Sequence, residues 1–105
     1  SENDTIANLH AMLDNARTRY RTLMVGPPPA ADADHNARLA RLSERMCDVT
    51  IRLGVPYVET LPALIDDRIW RDEVRDNDGA HPRAAGYARL ARIVAASGVW
   101  WFGKS

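Results

Sequence analysis

The sequence has 105 residues, 14 basic against 14 acidic, and 46% of them are apolar. That is enough chain for one small domain, too apolar for a disordered segment, and without the basic excess expected of a nucleic-acid binder. No apolar run approaches the roughly 18 residues that a membrane span requires. The single cysteine, Cys47, rules out an internal disulfide and favours a reducing compartment such as the cytoplasm.

Ile6, Leu9, Leu13, Ala16 and Tyr20 recur at spacings of three and four, which predicts a helix over residues 5–20 capped by Asp4 or Thr5. Thr22 to Val25 is a short apolar run closed by Gly26-Pro27-Pro28-Pro29, the pattern of a buried strand entering a stiff loop. Leu39, Leu42, Met46, Val49 and Leu53 mark a helix over residues 35–53, with Asp32 or Asp34 as cap and Gly54 as terminator. Val55 to Val58 reads as a second strand, and Leu61 to Ile69 as a short helix leading into a polar, acidic stretch from Arg71 to Asp78. The last helix follows His81-Pro82, with Tyr87, Leu90, Val94 and Ser97 on one face and Gly98 at its end; Val99-Trp100-Trp101-Phe102 closes the chain, with Trp100 and Phe102 expected to pack in a core.

Strands separated by helices imply right-handed crossovers and a parallel sheet. Both strands are apolar at consecutive positions, so each should be covered on both faces. Two parallel strands cannot close such a core. The sheet described is larger than the sequence, so either further strands come from another chain or these residues adopt a compromised or swapped packing.

The stretch that carries chemistry is Asp78-Gly79-Ala80-His81-Pro82, followed by Ala84-Ala85-Gly86-Tyr87-Ala88-Arg89-Leu90-Ala91. An Asp three residues before a His, on a turn entering a helix, can return its carboxylate to one imidazole nitrogen and leave the other free to take a proton from a serine. Gly79 permits the turn, and Pro82 suits the first turn of the following helix. Alone, Asp-x-x-His reads equally as a solvated histidine beside a helix cap. The longer string Asp-Gly-x-His-Pro-x-Ala-Ala-Gly-Tyr-Ala-x-Leu-Ala resembles the last signature block of the SGNH (GDSL-type) esterases and lipases. Met24 to Pro29, Asn36-x-Arg38 with Leu42-Ser43, and Gly54 to Val58 resemble the preceding parts of that family in the same order. Asn3-Asp4 matches its third block, Gly-x-Asn-Asp, with Ser1 where the glycine would stand.

The resemblance implies the C-terminal half of a single SGNH domain over residues 1–105: a flavodoxin-like, three-layer α/β/α sandwich with a parallel sheet. It implies a serine ester hydrolase in which His81 is the base and then the acid, Asp78 orients it, and Asn3 contributes to the oxyanion hole. It implies no metal and no organic cofactor. Asn3 reads equally as a residue of a frayed terminus. Gly26 and Pro27 are expected on the substrate-side loop, and a substrate-side role for Trp70 stays open. The nucleophile and the oxyanion-hole glycine belong to blocks that would precede this sequence. Ser43, Ser97 and Ser105 lack the strand-to-helix turn that exposes a nucleophile. The expected partners are therefore an ester substrate and either the N-terminal half of the same enzyme or a second copy. The alternative is an inactive fragment that self-associates through its unpaired sheet edge. His10, His35 and Cys47 lack the spacing of a zinc site, and Asp66, Asp67, Asp72, Glu73 and Asp76 lack that of a calcium loop.

Overall fold

The apolar stripe over residues 6–16 does form a helix, but the computed structural model, which describes residues 1–99, starts it at Glu2 rather than Thr5. This helix, α1 (Glu2–Arg17), begins early because Ser1 caps it, its Oγ accepting the Asp4 amide at 3.2 Å. Leu9 and Leu13 are buried, whereas Tyr20 lies past the helix end and is 72% exposed. β1 (Met24–Val25) and β2 (Tyr57–Val58) pair in parallel, Met24 opposite Tyr57 and Val25 opposite Val58. Between them runs α2 (Ala33–Leu53). Asp32 caps it by accepting the His35 amide, and Gly54, at φ +69°, ends it in the left-handed conformation.

The segment predicted as one helix over residues 61–69 is two. α3 (Leu61–Leu64) stops, and α4 (Arg68–Asp76) begins afresh because Asp67 turns its carboxylate onto the Trp70 amide at 2.9 Å. Most of the acidic stretch is therefore helical, and its charges fall at helical spacings, Arg68 and Arg75 both pairing with Asp72. α5 (Ala84–Ala96) starts two residues after Pro82, which packs beneath it instead of occupying its first turn. The aromatic stretch Trp100 to Phe102, and Ser105, lie outside the described residues.

The core is small and divided. Ten apolar side chains are buried among the described residues, and most of them fall into two clusters. Leu9, Leu13, Val49, Leu53 and Val55 join α1 to α2, with Ile6, Met24 and Met46 at the margin. Leu64, Trp70 and Val74 join α3 and α4, with Leu90 and Ile93 of α5 packed against them. Met24 faces the first cluster, while Val25 lines an apolar groove with Tyr87, Leu90, Ala91, Val94 and Ala95 of α5. Alternate residues of β1 thus meet helices on opposite sides. The molecule is a slab of 40 × 40 × 18 Å with a radius of gyration of 14.4 Å, above the roughly 13 Å expected for this length. The two-stranded sheet has an open edge at each strand, an apolar groove lies over Val25, and Tyr87 is half exposed. Among the described residues no helix is long and apolar enough to cross a membrane.

Candidate active site

The turn between α4 and α5 is closed by short-range bonds. Gly79 adopts φ +81°, a conformation that costs a side-chain-bearing residue, and its amide donates back to the Val74 carbonyl at 2.8 Å. The Asp78 carboxylate then faces three donors. Oδ1 accepts the amides of Ala80 at 2.8 Å and His81 at 2.6 Å, and Oδ2 meets His81 Nδ1 at 2.7 Å. From the other side, Asn77 Nδ2 donates to the His81 carbonyl at 3.0 Å.

These donors hold the Asp78 carboxyl far below the usual carboxylate range, the Ala80 amide contributing most, then the His81 ring and the His81 amide. Asp78 is therefore ionised and can only accept, so the 2.7 Å contact puts a proton on Nδ1, the tautomer that leaves Nε2 able to accept one. Nε2 has no hydrogen-bond partner among the described residues, and the His81 side chain is 65% exposed. A depressed folded pKa contributes stability that is fully present above the ordinary value of 3.8 and is lost progressively as pH falls from there through the folded value. The turn thus keeps its charged partner throughout the neutral and mildly acidic range.

α5 has no capping side chain of its own. Glu73, thirteen residues before Gly86, supplies one from α4: its Oε1 accepts the amides of Arg83 at 2.9 Å and Gly86 at 2.7 Å. Gly86 is required for that approach, because a Cβ there would overlap Pro82 and come within 3.0 Å of Glu73 Oε1. Asp67 adds a second tie between α4 and α5, its Oδ2 lying 3.4 Å from Arg89 Nε. Neither Glu73 nor Asp67 stood out in the sequence. A carboxylate seven or more residues before a helix gives no local capping signal.

The loop after β1 is fixed against this turn. The Ala31 amide donates to the Gly79 carbonyl at 2.9 Å, and the Asn36 side chain clamps both the amide and the carbonyl of Ala30. Trp70, 1% exposed, donates its indole N–H to the Pro29 carbonyl at 2.9 Å. The structure therefore gives Trp70 a core position behind the loop, where the sequence left a substrate-side role open; its ring fills the second cluster and its one polar atom is spent on Pro29. Gly26 is buried and both its backbone groups are engaged, the amide with the Val58 carbonyl and the carbonyl with Thr60 Oγ1. A Cβ at Gly26 would overlap the Tyr57 hydroxyl, so this glycine serves packing. Pro27 is half-buried beside it.

Asn3 lies in the first turn of α1, exposed, and no hydrogen bond joins it to the Asp78–His81 turn among the described residues. Its Oδ1 accepts from Arg45 Nη2 at 3.0 Å. Arginine has donors only, so the amide orientation is forced and Nδ2 is left without a partner. Arg45 also pairs with Glu2, at 3.3 Å. The serines are occupied as local bonding groups. Ser43 is buried in α2 with its Oγ 2.6 Å from the Tyr57 hydroxyl, and Ser97 donates to the Val94 carbonyl at the end of α5. Among the described residues no group of three or more His, Cys, Asp or Glu side chains is placed to hold a metal ion.

An arrangement of carboxylate, Nδ1-bonded imidazole and free Nε2 can take up and return a proton at Nε2. The chain belongs to the GDSL-like lipase/acylhydrolase family, whose model matches residues 1–89. That span includes the dyad and the first turn of α5. No curated protein matches the chain significantly.

Proposed function

We propose that this chain supplies the general base, its orienting carboxylate and one oxyanion donor of a serine carboxylic-ester hydrolase. The observation that carries the reading is the 2.7 Å contact between Asp78 Oδ2 and His81 Nδ1, with Nε2 left free and exposed. A serine hydroxyl brought to Nε2 gives up its proton as Oγ bonds to the ester carbonyl carbon, and the carbonyl electron pair moves onto oxygen. The oxyanion collapses, the alkoxide leaves with the proton from His81, and an acyl-serine remains. Water then attacks with His81 again as base, releasing the acid and restoring the serine. The unpartnered Nδ2 of Asn3, oriented by Arg45, supports its role as a donor to the oxyanion.

The nucleophile in this reading comes from a segment outside these residues, in a three-layer α/β/α sandwich completed around β1. The open edge of β1, the helices on both sides of that strand and the apolar groove over Val25 support completion by a further parallel strand.

The test is His81→Ala in the complete, serine-bearing enzyme, with short-chain p-nitrophenyl esters as substrates. Loss of kcat on the order of 10⁴-fold or more is expected, with the KM little changed. Activity within a few-fold of wild type would sink the base assignment.

A further inference from the structure

A cleft of about 550 Å³ lies between the start of α2 with its preceding loop on one side and α3 and α4 on the other. Its walls are short side chains, Ala30, Ala31, Ala37 and Ala40, over a floor of Leu61 and Ile65. Small wall residues leave room that larger ones would fill. One backbone bond ties the lining of the cleft to the Asp78–His81 turn, Ala31 donating its amide to the Gly79 carbonyl at 2.9 Å.

Two guanidinium groups and one carboxylate also line the cleft: Arg71 and Arg75, one helical turn apart on α4, and Asp66. Arg75 is already neutralised by Asp72 at 3.2 Å and Asp76 at 3.3 Å, neither of which lines the cleft. The Arg71 side chain has no ion pair or hydrogen bond among the described residues. Asp66, the one carboxylate in the lining, makes no ion pair with it, and a cation unpaired in a concave, largely apolar site attracts an anionic group.

We propose that this cleft binds the part of the ester substrate that carries an anionic group, a short apolar stretch lying along the alanine wall and ending in a carboxylate or phosphate on Arg71. The assignment rests on the hydrolase reading for its substrate, but the cleft and its unpaired cation stand apart from the dyad. Arg71 is then a specificity residue, distinct from His81 and Asp78, which do the chemistry.

The experiment compares mono-p-nitrophenyl glutarate, whose acyl chain ends in a carboxylate, with neutral p-nitrophenyl butyrate, in the complete enzyme and its Arg71→Ala and Arg71→Lys variants. Arg71 is exposed, so both variants should fold. In Arg71→Ala, kcat/KM for the glutarate ester should fall about tenfold, as for loss of one exposed charge-assisted contact, with the butyrate ester unchanged. Arg71→Lys should restore part of the loss. Equal effects on both esters, or none on either, would overturn the cleft assignment and leave the hydrolase reading intact. Free glutarate, titrated into the same proteins and followed calorimetrically, separates the two ideas further. If neither ester is hydrolysed, the hydrolase reading fails, and the cleft stands or falls on whether glutarate binds the wild type and not Arg71→Ala.

Discussion

The two ends of the proposed site are held on different scales of chain. Asp78 and His81 are three residues apart, and the bonds from Ala80, His81 and Asn77 that fix them span no more than four. Asn3 depends on Arg45, forty-two residues further on, and on the packing of α1 against α2 that brings the two together. The first arrangement is written into a pentapeptide and exists wherever that turn forms. The second exists only if the long-range packing does. A site assembled from both kinds of part keeps its base oriented while its oxyanion donor waits on tertiary structure.

Asp78→Asn should break this comparison most severely. The amide oxygen of asparagine can keep the bonds from the Ala80 and His81 amides, so the turn should survive. Its NH₂ group cannot accept from Nδ1, and the imidazole is driven to the tautomer that puts the proton on Nε2. Loss of kcat on the order of 10⁴-fold is expected in the complete enzyme, as when the carboxylate of a triad is neutralised. Backbone amide shifts of Ala80 and His81 close to wild type would show that the turn itself is intact. A loss below tenfold would mean that the backbone bonds alone orient the ring and that the Oδ2 contact is dispensable.

Asn3→Ala tests the long-range end. A single oxyanion-hole donor is worth roughly 10²–10³ in kcat, and Asn3 is exposed in a first helical turn, so the fold has little stake in it. A drop of that size with KM nearly constant supports the donor role for Nδ2. A change under threefold would leave Asn3 as a surface partner of Arg45 and detach it from the chemistry.

The same division of scale governs what could be read from the sequence. The element order as far as β2, a cap at Asp32 or Asp34, the Gly54 terminator and the Asp-x-x-His turn were legible because each depends on residues within one or two helical turns. The early start of α1 was missed because Ser1 looked like a replaced motif glycine, when its hydroxyl is a sound helix cap. The break before α4 was missed because Asp66 and Asp67 read as generic acidity; only the bond from the Trp70 amide distinguishes a cap from a solvated loop. Trp70 was ambiguous for a related reason. An indole in a polar stretch looks available to a ligand until the second cluster forms around it. Strand length was overread at both places, since β1 and β2 pair at two positions each, with the flanking Pro56 carbonyl and Gly26 amide bonding at the ends of the ladder.

Glu73→Gln is the subtlest test, and it asks how far the Asp78–His81 turn stands alone. Glu73 ties the two helices that flank the turn: it reaches from α4 to the start of α5 and accepts two amides that would otherwise lack partners. Glutamine keeps the shape and one carbonyl oxygen, so both bonds can persist. What disappears is the negative charge at the positive end of the α5 dipole, together with the charge assistance to the two bonds. Those effects amount to about 0.3–1 kcal/mol at a partly exposed helix N-terminus. The urea midpoint should fall by a correspondingly small amount at neutral pH, and the difference from wild type should shrink at high salt. Hydrolysis should stay within about twofold, because nothing that holds Asp78 to His81 passes through Glu73. If kcat fell well beyond that while stability barely moved, the dyad would be oriented through the α5 terminus as well, and the turn would be less self-contained than its short-range bonds imply.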